Sequence, residues 1–162
     1  MEDDARYQVI NDALWQALQK ECPEQCTRVL DQPRAQIDST YLGFVNTYEA
    51  LARLIPLDWT VVDVGCSYAA QAYYFRKHKA YIGVERRTRP LTKTFCFQNS
   101  EFVWMKGEEF VKSQRHMGQL NLDKTFAICN YVPCGPAKPV GEDDVQTAVR
   151  KAFKNVYCFY PA

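Results

Sequence analysis

The sequence predicts an α/β fold, a three-layer doubly wound parallel sheet of strand order 3-2-1-4-5 with an N-terminal helical segment. Three observations predict it. From Trp59 onward, five short apolar runs alternate with helical patterns, the alternation a parallel sheet requires. The first run, Thr60-Val61-Val62-Asp63-Val64, is apolar on both faces, as a strand covered from both sides must be. Residues 1–57 contain no such run and instead place apolar residues three and four apart.

The elements follow in chain order. A first helix carries Tyr7, Ile10, Leu14 and Leu18 on one face, and a short second one follows Pro23. A third uses Phe44, Tyr48, Leu51 and Leu54, and Pro56 ends it. These helices form a segment, 1–57, packed on a core, 58–162. The first strand ends at Gly65, and Ser67 to Phe75, rich in alanine, has helical character. A second strand, Ala80 to Val84, ends at Glu85. A helix over Leu91–Phe97 leads to a third strand, Glu101 to Met105, and another helix begins near Glu108. The fourth strand spans Thr125 to Asn130. A loop with Pro133, Pro136 and Pro139 then precedes a helix over Asp143–Phe153 and a last strand, Val156 to Tyr160.

Composition narrows the function classes. With 47% hydrophobic and 14% aromatic residues, 162 residues can bury a core. The net charge of +1 advertises neither a nucleic acid nor a membrane surface. No apolar run approaches the roughly 18 residues of a membrane span. The acidic, polar start from Met1 to Arg6 is unlike a secretory signal, so a cytoplasmic location is expected. Seven cysteines, an odd set, then read as reduced thiols. Cys22/Cys26 and Cys129/Cys134 lack the two-residue spacing of a zinc knuckle, and no metal site is expected.

The chemistry is carried by Asp63-Val64-Gly65-Cys66-Ser67 together with Glu85. A strand enters a tight glycine turn, a helix follows, and a second strand ends in an acid 20 residues after that glycine. This is the layout of an adenosine-type cofactor site, in which the acid accepts hydrogen bonds from ribose hydroxyls. Charge chooses among such cofactors. A dinucleotide brings a pyrophosphate, which Asp63 would oppose, and the second and third glycines of its fingerprint are Ser67 and Ala70 here. S-adenosylmethionine carries an ammonium and a sulfonium, which a carboxylate favours. The acid counts against NAD and for S-adenosylmethionine.

Asp63-Val64-Gly65-Cys66 with Glu85 resembles motifs I and II of the class I, Rossmann-like S-adenosylmethionine-dependent methyltransferases, and the resemblance covers about 58–160. It implies that Asp63, Gly65 and Cys66, with Ser67 in the same turn, line the methionyl end of the cofactor, and that Glu85 holds the ribose. It places Gly107 and Glu108 near the adenine, and Asn130 and Tyr131 where the methyl acceptor, a nucleic acid or a small molecule, meets the cofactor. The pattern departs from the family in three ways. The turn keeps only Gly65, Asn130-Tyr131-Val132-Pro133 lacks the paired prolines of nucleobase enzymes, and the family's last two strands are missing.

Plainer readings stand beside these. Asp63 or Glu108 can serve a helix start, Asn130 can bond its own loop, and Tyr131 can pack instead of stacking on a substrate. Arg76, Lys77, Lys79, Arg86, Arg87, Arg89 and Lys93 form either a solvated face or a steering patch for a polyanion. The alternative at the level of function is a non-catalytic binding module that keeps the fold. The apolar last strand, free of Lys and Glu, suggests a homodimer through its edge.

Overall fold

Strand β1 (Thr60–Val64) sits in the middle of the sheet, and every residue after Thr60 is buried. Two runs of parallel partners flank it. Strand β2 (Ala80–Val84) pairs on one side, with β3 (Ser100–Val103) beyond it. Strand β4 (Thr125–Cys129) pairs on the other, with β5 (Val156–Cys158) outermost. The order is β3-β2-β1-β4-β5, all parallel, as the alternation of runs predicted. The computed structural model describes residues 13–29, 45–86, 88, 94–130 and 144–159. The loop 131–141, Tyr7, Ile10 and Phe44 lie outside the described residues.

Alternation along the strands divides the sheet into two faces. Val61, Tyr81 and Ile128 point to one, where helix α1 (13–21), α2 (Pro23–Val29), α3 (Val45–Leu54) and a 3-10 helix (Ala70–Phe75) pack. Val62, Val64, Val84, Val103, Ala127 and Cys129 point to the other. There they meet Phe110 of α4 (Gly107–Phe110) and Val149 of α6 (Val145–Ala152), with Met117 of α5 (Gln114–Met117) at the margin. Helices therefore cover both faces of the sheet.

Helices this short are marginal alone and depend on tertiary burial. Leu14 and Leu18 are fully buried in the first core, each contributing on the order of 1.5–3 kcal/mol. Pro23 opens α2, where its missing N–H is no loss.

Three local expectations are corrected. The spacing groups Leu54 with Tyr48 and Leu51, but Leu54 is 77% exposed, and Ile55 fills the core beside them. Apolar residues stand at both positions, and the packing selects the seven-residue step from Tyr48 to Ile55.

The helix expected over Leu91–Phe97 is absent from its described part, Thr94 to Phe97. The backbone there is used elsewhere. Phe95 N–H donates to Tyr68 O at 2.9 Å, and both backbone groups of Cys96 bond the Gln25 side chain, at 2.7 and 2.8 Å.

The strand ends also move: β3 ends at Val103 instead of Met105, and β5 at Cys158 instead of Tyr160. Phe159 keeps its N–H on Cys129 O at 3.0 Å while its ring packs on Tyr48 of α3, with centroids 4.9 Å apart, and Tyr157 remains 40% exposed.

Gly83 of β2 has a steric reason to be glycine. A Cβ there would lie 2.7 Å from the Phe102 ring and 2.8 Å from Cys66 Sγ. Gly83→Ala should destabilise the fold by on the order of 1–3 kcal/mol. Urea denaturation measures it, and an unchanged midpoint would contradict the packing described.

Candidate functional site

The sheet's strand order reverses between β1 and β4, and the expected site residues gather at the carboxyl ends of these strands. Gly65 N–H donates to Val84 O at 2.7 Å, and Asn130 N–H donates to Val64 O at 3.0 Å. The ends of β2, β1 and β4 are thereby level with one another. Open α/β sheets bind ligands at the carboxyl ends of strands where the order reverses.

The turn after β1 is built on left-handed backbone. Gly65 has φ 87°, Ser67 φ 51° and Ala69 φ 59°. A side chain in this region costs about 1–2 kcal/mol, so the surroundings must impose it. Ser67 takes the glycine-like conformation that its place in the motif calls for, without being glycine. The residue that does so further on is Ala69, one before the position read as the third glycine.

Glu85 is part of what holds this turn. It lies just past β2, is nearly buried, and its Oε2 accepts the Ser67 N–H at 3.0 Å. A carboxylate bonded to a backbone N–H is a charge-assisted contact, stronger than a neutral one. Glu85 thus reaches the turn from the neighbouring strand, a contact within the chain that the sequence reading, which gave this acid to a ribose, did not include. Cys66 is buried beneath the turn, its thiol beside Gly83 and pointing its hydrogen at Ser67 O, 3.8 Å away.

Asp63 sits deeper. It is fully buried on the face shared with Val61, and Oδ2 accepts from Tyr81 Oη at 2.5 Å and from Gln71 Nε2 at 2.7 Å. Gln71 Nε2 lies 3.1 Å from Cys66 O as well, so one amide joins the acid, the turn and the 3-10 helix. Burial pushes the Asp63 carboxyl up to about 6, the two hydrogen bonds hold it back, and the charge of Glu85 adds a smaller push upward. Tyr81 is driven well above its ordinary value by burial and by the Asp63 charge, so it remains a donor. Asp63 Oδ1 and Gln71 Oε1 are buried acceptors with no hydrogen-bond donor among the described residues.

The remaining expected residues occupy the same end of the sheet in different settings. Asn130 follows β4, and its Nδ2 donates to Tyr48 Oη at 3.1 Å, linking α3 to the site. Gly107 opens α4 against the end of β1, where a Cβ would lie 2.7 Å from Val64 and 2.8 Å from Val145. That position is filled by packing. Glu108 is half-buried in the first turn of this four-residue helix. Tyr131 lies outside the described residues. Among the described residues, no three His, Cys, Asp or Glu side chains are grouped to hold a metal ion.

Gln71, Tyr81 and Tyr48 were missed by sequence reasoning. Tyr81 carried a usable signal: a buried acid needs donors, and strand alternation puts Tyr81 on the face of Asp63. Tyr48 is 82 residues from Asn130, and no local pattern announces their contact.

Comparisons with protein-family models, with curated proteins and with solved structures return no match to this chain. No helix among the described residues is long and apolar enough to cross a membrane.

The raised Asp63 carboxyl makes stability depend on pH with a definite sign. The folded state holds its proton up to about pH 6, whereas the unfolded chain releases it near pH 4. Stability from this group is fully present below pH 4 and is lost as pH rises through 6, a change of about 3 kcal/mol. Asp63→Asn removes the titration. The unfolding free energy of the native chain should therefore fall relative to Asp63→Asn between pH 4 and 6.5, and parallel curves would contradict the buried carboxyl.

Proposed function

We propose that this chain is an S-adenosylmethionine-dependent methyltransferase on a doubly wound, Rossmann-like sheet, acting in the cytoplasm on a nitrogen or oxygen of a small molecule or nucleic acid. The observation that carries the reading is the turn at the strand-order reversal. A left-handed Gly65–Ala69 turn leaves β1, and an acid at the end of β2 reaches it. The fit to this cofactor also rests on charge. Asp63 Oδ1 and Gln71 Oε1 are acceptors beneath the turn, suited to the hydrogens of an ammonium and unsuited to a phosphate.

In this reading Asp63, Gly65, Cys66 and Ser67 hold the methionyl end and Glu85 the ribose. When bound, the cofactor supplies an electrophilic methyl group. The chain's own residues align the acceptor and exclude water. The bond from Asn130 Nδ2 to Tyr48 Oη fixes which way the amide faces, so its carbonyl oxygen can orient a donor hydrogen of the acceptor. A second copy would pair along β5, beside exposed Tyr157.

One observation favours the non-catalytic binding module as a second reading. Asp63 Oδ2, Glu85 Oε2 and Asn130 Nδ2 each already bond a group of this chain. Methyl transfer from isotopically labelled cofactor separates the two readings.

Binding itself is tested by calorimetry with S-adenosylhomocysteine. Glu85→Ala should weaken binding by about 1.5–3 kcal/mol, the worth of hydrogen bonds to a charged group. Glu85→Gln keeps an oxygen for the Ser67 N–H and should fold normally. No binding to the native chain, or equal affinity in a folded Glu85→Ala chain, would remove the reading.

A further inference from the structure

We infer that Cys129 and Cys158 form a peroxide-responsive dithiol that closes to a disulfide between β4 and β5. The parallel register places Cys129 directly beside Cys158. Both side chains belong to the same sheet face, Cys129 within the second core and Cys158 packed against it. Neighbouring strands run about 4.8 Å apart, inside the roughly 4.4–6.8 Å that disulfides span between Cα atoms. Both cysteines are reduced in the structure. The partner strand can adjust, because β5 is a three-residue edge strand.

The two sulfurs differ in a way that orders the chemistry. Cys129 is buried, whereas Cys158 is partly exposed. Arg150 of α6 donates Nε–H to Cys158 Sγ at 3.3 Å, which sets a positive charge beside that sulfur. Hydrogen peroxide meets Cys158 first. The sulfur attacks one peroxide oxygen, an S–O bond forms, the O–O bond breaks, and hydroxide leaves with the thiol's proton as water. Cys129 sulfur then attacks the sulfenic sulfur. The S–S bond forms, the S–O bond breaks, and the second oxygen leaves as water with the proton of Cys129. Two thiols lose two electrons, and one peroxide becomes two waters.

The bridge would act on the candidate site. Asn130 immediately follows Cys129, and Phe159 N–H already donates to Cys129 O at 3.0 Å. A covalent link would fix the end of β4, and so the Asn130 backbone, to the outer strand.

The test treats the reduced full chain with an equimolar amount of hydrogen peroxide, alkylates the remaining thiols, and maps peptides without reduction. Cys129 and Cys134 share one tryptic peptide, so a Cys134→Ser chain is mapped in parallel. The expected result is a Cys129–Cys158 peptide in both chains, absent from Cys158→Ser, with Arg150→Gln slowing its appearance. Three results would each overturn the proposal. These are a Cys158 sulfenic acid trapped by dimedone beside an alkylated Cys129, a bridge that vanishes in Cys134→Ser, and a Cys158 left unmodified.

Discussion

The carboxylate of Asp63 is the constraint on which the rest of this structure depends. A buried charge is tolerated only when donors surround it. Here the donors come from two different elements, Tyr81 from β2 and Gln71 from the 3-10 helix. Their bonds set where the 3-10 helix lies relative to the sheet. Because Gln71 also bonds Cys66 O, they set the path of the turn between. Left-handed Ser67 and Ala69 are then imposed by their surroundings, since local preference opposes both. Glu85 completes the arrangement from the turn's outer side.

That arrangement explains why a turn with one glycine can behave as one with more. Glycine makes left-handed backbone easy, but it does not select it. In this chain the selection comes from hydrogen bonds, backbone ones from Gly65 N–H to Val84 O and from Ala69 N–H to Cys66 O and side-chain ones from Gln71 and Glu85. The result is a buried polar corner at the sheet's carboxyl end, in which Asp63, Gln71, Tyr81 and Glu85 bond one another or the turn.

Much of this was legible in the sequence. The strand runs and their parallel order follow from hydrophobic period and spacing, because a buried central strand leaves few other arrangements. What the sequence concealed is long-range. Thr94–Phe97 is not helical because Tyr68 and Gln25 claim its backbone, and Gln25 lies 71 residues from Cys96. The choice of Ile55 over Leu54 depends on which neighbour the core presents. Tyr48 meets Asn130 only once α3 has docked. Each of these is fixed by contacts between distant parts of the chain, which periodicity does not encode.

The clamp between β1 and β2 can be measured directly by a double-mutant cycle on stability at pH 7.5, using Asp63→Asn, Tyr81→Phe and the double variant. If Tyr81 and Asp63 form the bond that organises the turn, their coupling energy should be about 1 kcal/mol or more. Effects that add to within about 0.3–0.5 kcal/mol would show two independent side chains and contradict the account.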